Sequence, residues 1–178
     1  MSEAALPLEP PAGSSWRDLD STTCSIARVM AVLGEPWTVL VVRDLLHGLR
    51  RFDDLVRHLG IARNVLTRRL GALVEAGIVE PVDYREPGRR TRQEYRLTAA
   101  GQDLRPLLLA LMAYGDAHLG GGDGPPVVVE HVGCGAPVHL EQVCEQGHRL
   151  GSDDRLRSTP GPGARWVAAA AVTRRSGT

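Results

Sequence analysis

Four short apolar-periodic runs in succession, each closed by a glycine, constrain this chain more than any other feature of its sequence. The first covers residues 24–33 and is closed by Gly34. The second starts at Pro36, which a first helical turn accepts because an N–H there has no intrahelical acceptor, and runs through Trp37, Leu40, Val41 and Leu45 to Gly48. The third begins near Arg51, carries Asp53 and Asp54 where the helix dipole favours acids, and stops at Gly60. The fourth fills residues 62–76 and stops at Gly77, with only Gly60 and Ile61 between it and the third. Helices this short, joined this tightly, predict a helix-turn-helix.

After Gly77 the period changes from helical to alternating. Ile78, Val79, Val82 and Tyr84 lead into a turn with Pro87 and Gly88, and Gln93 to Leu97 returns, which predicts a hairpin whose tip carries Arg85, Arg89, Arg90 and Arg92. Thr98 is placed to cap a following helix that runs to about His118, with Pro106 expected to kink it or start it late. That helix is apolar on more than one face through Leu104, Leu107, Leu108, Leu109, Leu111, Met112 and Tyr114, so part of it is expected to pack against a second copy of the chain. Ile26, Ala27, Met30 and Leu33 of the first run are the expected second contributor. The fold class is therefore mainly α with a small β-hairpin, a winged helix-turn-helix that dimerises through terminal helices. Residues 1–21 read as a flexible leader, 22–119 as the DNA-binding and dimerisation domain, 120–126 as a Gly/Pro linker, 127–151 as a small Cys/His segment and 152–178 as a flexible tail.

The 178 residues suffice for one ordinary core plus tails. No apolar stretch reaches the roughly 18 residues of a membrane span and the start lacks a signal-peptide pattern, so a soluble, cytoplasmic protein is expected. All 21 basic residues are Arg, suited to bidentate contacts with phosphates and guanine edges. The formal charge of zero conceals a division: −3 over residues 1–23, +4 over 24–97 and −1 over 98–178. No Gly-rich phosphate loop, nucleophile elbow or HExxH motif places a nucleophile beside a base, which argues against an enzyme. A winged-helix protein-interaction module would expose apolar or acidic positions on its fourth helix, and this chain does not.

Several pieces fall in a familiar order: Gly34-Glu35-Pro36-Trp37-Thr38, Arg43-Asp44-Leu45-Leu46, Arg51-Phe52-Asp53-Asp54-Leu55, Leu66-Thr67-Arg68-Arg69-Leu70, Glu75-Ala76-Gly77, and Tyr95-Arg96-Leu97-Thr98 with Gly101. In this the chain resembles the HxlR-type branch of winged helix-turn-helix regulators, relatives of the MarR group, over residues 24–118. The resemblance implies a homodimer that binds double-stranded DNA, represses or activates nearby genes, requires no cofactor, and responds to a small molecule or electrophile. Family members commonly carry a Cys just before the first helix, in some as a sensor. Cys24 matches, but Ser25 stands where the family usually has Pro. A helix N-terminus favours a thiolate, the nucleophilic form of cysteine; the alternative is an inert, half-buried residue.

The residues themselves locate the DNA contacts. Leu66, Leu70 and Leu73 recur at helical spacing and face the core, which turns Arg63, Asn64, Thr67 and Arg68 outward near the helix start, the part that enters a major groove in this motif. Arg pairs with guanine, Asn with adenine, and Thr with a methyl group or phosphate. Arg69 lies between the two faces, open either to phosphate or to an internal acid. Arg89, Arg90 and Arg92 of the wing are expected to reach phosphates or the minor groove. Beyond the DNA-binding region, His131, Cys134, Cys144 and His148 are chemically able to bind zinc, with His139 as a competing ligand. The alternative is a small hairpin with incidental Cys and His.

Overall fold

The computed structural model describes residues 16–85, 87–88, 90–120, 122 and 124–166. They fall into two compact units, residues 32–154 and the pair of segments 16–31 and 155–166.

The larger unit takes in the end of α1 (Ser25–Leu33), whose Leu33 is buried, and continues with α2 (Pro36–Leu46), where Pro36 occupies the first turn as expected. α3 (Phe52–Leu59) ends at Gly60, whose φ of 64° lies in the left-handed region that costs a residue without Cβ little. Ile61, buried in the turn, and Ala62 then lead into α4 (Arg63–Glu75). Leu66, Leu70 and Leu73 of α4 are almost wholly buried in a core shared with Val41, Val42, Leu45, Leu55 and Val79. Each such side chain contributes about 1.5–3 kcal/mol by leaving water, so this stripe fixes which way α4 faces.

β1 (Val79–Tyr84) pairs antiparallel with β2 (Arg92–Leu97), from Val79 opposite Leu97 to Tyr84 opposite Arg92. Arg92 thus closes the ladder instead of standing at the tip. The hairpin is also tied to the start of α3, which the alternating pattern gave no sign of: the Tyr95 N–H donates to the Arg50 carbonyl at 2.8 Å, and Arg51 bridges Glu94.

The predicted helix after Thr98 is split. Thr98 caps a single turn, α5 (Ala99–Gln102), by accepting from the Gly101 N–H, and the chain breaks at Asp103 before α6 (Arg105–His118) starts with Pro106 in its first turn. Leu108 of α6 is buried in the core, whereas Leu107, Leu111 and Tyr114 are exposed.

Past α6, Glu130 bridges Pro137 and β3 (Gln142–Val143) pairs with β4 (Arg149–Leu150), giving two tight hairpins. No described residue from 124 to 154 is buried.

In the smaller unit, short 3-10 turns at Trp16–Asp18 and Ser21–Thr23 precede α1. The Asp20 N–H donates to the Arg165 carbonyl at 2.8 Å and Leu19 bridges Trp166. Leader and tail, expected as two independent flexible ends, therefore pair where they are described. Residues 167–178 of the tail lie outside the described residues, as does the start of the leader.

Candidate nucleic-acid interface

The helix-turn-helix is braced from within by Asp44. Its carboxylate, 1% exposed, accepts from Arg43 Nε at 2.9 Å through one oxygen and lies 2.6 Å from His58 Nδ1 through the other, so α2 and α3 are clamped together by a charge-assisted network. In the sequence Arg43 and Asp44 stand out only as part of a longer pattern; a lone acid in an apolar run is the signal for this role.

On α4, Arg63, Asn64, Thr67 and Arg68 are all exposed; Asn64 and Arg68 lie opposite the buried leucines and Thr67 flanks them, whereas Arg63 opens the helix on the leucines' side and faces α3. They differ in how free they are. The Arg68 side chain makes no hydrogen bond or ion pair among the described residues. Asn64 uses its Oδ1 to accept from the Val65 N–H at 2.9 Å, which leaves its amide donors available. The Thr67 hydroxyl donates back to the Arg63 carbonyl at 3.0 Å. Arg63 is engaged: it donates to Asp53 of α3 at 2.8 Å and its guanidinium lies 4.8 Å from the centre of the Phe52 ring. The hydrogen bond from Arg63, and then its charge, hold the Asp53 carboxyl below its ordinary 3.8.

Arg69 resolves differently from its neighbours. It is 20% exposed and pairs with Glu35 at the start of α2, 3.0 Å away, while its Nε is buried without a hydrogen-bond partner. The internal acid is what it faces, so it joins α4 to α2 and is not on the outward face with Asn64 and Arg68.

Beside α4 lies a cleft of about 770 Å³ between the starts of α3 and α4 and the wing, lined by Arg51, Arg57, Arg63, Arg90 and Arg92 together with Asp53, Asp54 and Asp83. Arg92 adds to the field that holds Asp53 charged, and the Arg51 guanidinium stacks 4.8 Å from the Tyr84 ring centre. A second cleft of about 570 Å³ is lined by Arg50, Arg51, Arg57 and His58 together with Asp54 and Glu94. Nothing in the sequence pattern singles out Arg50, Arg51 and Arg57. They come to the wing because Arg50 and Arg51 pair with β2, a long-range contact that no local pattern encodes. Arg89 lies outside the described residues.

Cys24 is free and exposed immediately before α1, not half-buried. The four C-terminal candidates form two separate pairs: His131 Nδ1 is 3.3 Å from Cys134 Sγ, and His148 Nδ1 is 3.5 Å from Cys144 Sγ. Among the described residues no three His, Cys, Asp or Glu side chains come together as a metal site. His139 instead lies 3.7 Å from Glu141. No single described helix is long and apolar enough to cross a membrane.

The HxlR-like helix-turn-helix family model matches residues 32–122. An uncharacterized HTH-type transcriptional regulator of Mycobacterium tuberculosis, Rv3095, is 38% identical over 139 residues, spanning 78% of this chain and 87% of the relative. Another from Synechocystis is 38% identical over 93 residues, spanning 52% of this chain and 67% of its own. Among solved structures, PA1607, a candidate transcription factor, superposes with a TM-score of 0.68 at 36% identity, covering 77% of this chain and 95% of that one. PA1374 from Pseudomonas aeruginosa, likewise a candidate transcription factor, gives 0.52 at 39% identity, covering 77% and 93%.

Proposed function

The chain belongs to the HxlR-like helix-turn-helix family of transcriptional regulators, and from that premise we propose that it binds double-stranded DNA sequence-specifically, as a cytoplasmic homodimer, and acts by binding rather than by catalysis. The observation that carries this reading is the solvent-facing side of α4, where Asn64 and Arg68 stand opposite the buried Leu66, Leu70 and Leu73 and Arg63 and Thr67 are exposed beside them. In a major groove that face offers guanidinium forks to guanine and an amide to adenine. The clefts lined by Arg50, Arg51, Arg57, Arg90 and Arg92 supply phosphate attraction beside it.

Dimerisation is supported by apolar side chains left in solvent. On α6 these are Leu107, Leu111 and Tyr114; on α1 they are Ile26, Val29 and Met30. Leu108 and Leu33, both expected at the interface, are core residues instead and are not part of the proposed contact. Two copies related by a two-fold axis would present two copies of α4 to half-sites about one helical turn apart.

A second, regulatory reading rests on the exposure of Cys24. Its thiol is open to an electrophile or oxidant, and added bulk at the start of α1 would disturb the apolar face that begins at Ile26. Comparing operator binding of wild type and Cys24→Ser after treatment with an electrophile tests this: an equal response in both removes Cys24 as the sensor.

The function itself is tested by selecting genomic DNA fragments with the purified full chain and footprinting those retained. The expected result is a protected pseudo-palindrome with half-sites one turn apart. Uniform affinity for all fragments at physiological salt would contradict sequence-specific binding.

A further inference from the structure

The last long helix, α6, carries apolar side chains along two separate lines. Leu107, Leu111 and Tyr114 form the exposed one, the side of the proposed contact with a second copy. Arg105, Leu108, Leu109 and Met112 recur at i, i+3, i+4 and i+7 and so share a different side of the helix. That side faces the end of α2, where Arg43, Leu46 and His47 recur at i, i+3 and i+4. Between the two helices lies a cavity of about 110 Å³, lined by both sets and by Val129. Val129 is held by the first C-terminal hairpin, its carbonyl accepting from the Val138 N–H at 2.7 Å.

The lining divides by chemistry. Buried Leu108 and half-buried Leu46, Leu109, Met112 and Val129 make an apolar part, and exposed His47 and Arg105 with half-buried Arg43 make a basic part towards solvent. No acid lines the cavity, whereas both clefts beside α3 are lined by carboxylates as well as arginines. Arg43 is partly neutralised, because its guanidinium pairs with Asp44 at 2.7 Å. Arg105 is not: it donates to the neutral amide oxygen of Gln102 at 3.1 Å. The His47 side chain makes no hydrogen bond or ion pair among the described residues.

We propose that this cavity binds a short-chain aliphatic monocarboxylate, with its carboxylate on Arg105 beside His47 and Arg43 and its chain against Leu108, Leu109 and Met112. A guanidinium without a counter-charge, in a lining free of acids, selects an anion, since hydrogen bonds between ionised groups are about twice as strong as neutral ones. The apolar part then selects hydrocarbon behind the charge, and it disfavours inorganic phosphate, whose remaining oxygens would lose water there without a donor. Size sets the length. A dry cavity of roughly 150 Å³ holds one benzene ring, which scales to about four or five non-hydrogen atoms for this one. Butyrate fits when its carboxylate sits at the mouth; benzoate and hexanoate exceed the space. Arg43 ties the site to the helix-turn-helix, because the same guanidinium holds Asp44, whose other oxygen lies 2.6 Å from His58 of α3.

The test is an NMR titration of the full chain, methyl-labelled and without DNA, against sodium butyrate. Saturable shifts centred on the Leu108, Leu109 and Met112 methyl groups are expected, with a dissociation constant of about 1 mM or below. Butyramide keeps the shape without the charge, phosphate keeps charge without the chain, and benzoate and hexanoate are too large; each should bind about ten-fold more weakly or worse. Arg105→Gln, at an exposed position that leaves the fold intact, should weaken butyrate binding by about ten-fold. Leu109→Ala, which enlarges the apolar part, should shift the preference from butyrate to hexanoate. Shifts that never saturate, or that centre elsewhere on the chain, would overturn the proposal. So would butyramide or phosphate binding as tightly as butyrate, or an unchanged affinity in Arg105→Gln. Because no arm contains DNA, failure here leaves the reading of α4 untouched, and failure of that reading leaves the cavity.

Discussion

Arg63 and Arg68 are both exposed on α4 but do not share one electrostatic setting. Arg63 is latched to Asp53, and the hydrogen bond it donates is the main reason that carboxyl titrates below 3.8. A carboxyl whose folded value lies below its unfolded one adds stability above the unfolded value and loses it as the pH falls through the folded one. Asp53 therefore stays charged throughout the neutral range, and the latch opens only in acid. A carbon-detected NMR titration should place the Asp53 midpoint below 3.8 in wild type and return it towards that value in Arg63→Ala. An unshifted wild-type midpoint would mean that the pair does not persist in solution. Arg69, one residue from Arg68, is open from its sequence position to either phosphate or an acid; only the packing of α4 against α2, which brings Glu35 to 3.0 Å, decides between them.

At the scale of elements, the helices were legible because glycine punctuation and leucine spacing are local signals, and α2, α3 and α4 begin and end within a residue or two of where that pattern puts them. What stayed hidden was non-local. The pairing of Arg50 and Arg51 with β2 enlarges the basic surface, and the break at Asp103 divides the last helix. Gly101 shows how closely α5 packs on the wing: a Cβ there would press on the Ile78 carbonyl oxygen and on the Leu97 side chain 2.9 Å away. Gly101→Ala should therefore destabilise the fold by about 1–3 kcal/mol, read as a lowered melting temperature. An unchanged melting temperature would show that α5 gives way freely. The wing makes a separate prediction. Arg90 and Arg92 are exposed and line the cleft beside α4, so replacing both by Ala should reduce the log–log salt slope of DNA binding by about 0.9 for each phosphate no longer neutralised. An unchanged slope would take the wing off the DNA.

For the whole molecule, reading two half-sites requires two copies of α4, and so a dimer. The last helix does carry apolar residues on more than one face, but which of them remain outside follows only from the packing: Leu108 turns into the core, while Leu111 and Tyr114 are 51% and 61% exposed. Sedimentation at micromolar concentration should give a dimer for wild type and a folded monomer for Leu111→Glu with Tyr114→Glu; a wild-type monomer would remove the two-half-site model. The central claim is that the outward face of α4 reads base sequence, and Arg68, which has no partner among the described residues, isolates it best. The most direct measurement is a titration of wild type and Arg68→Ala, at fixed salt, against the selected operator and a set carrying every single base-pair change. Arg68→Ala should bind the operator about 1–3 kcal/mol more weakly and lose discrimination at one base-pair position in each half-site. Equal affinity together with unchanged discrimination at every position would contradict the claim.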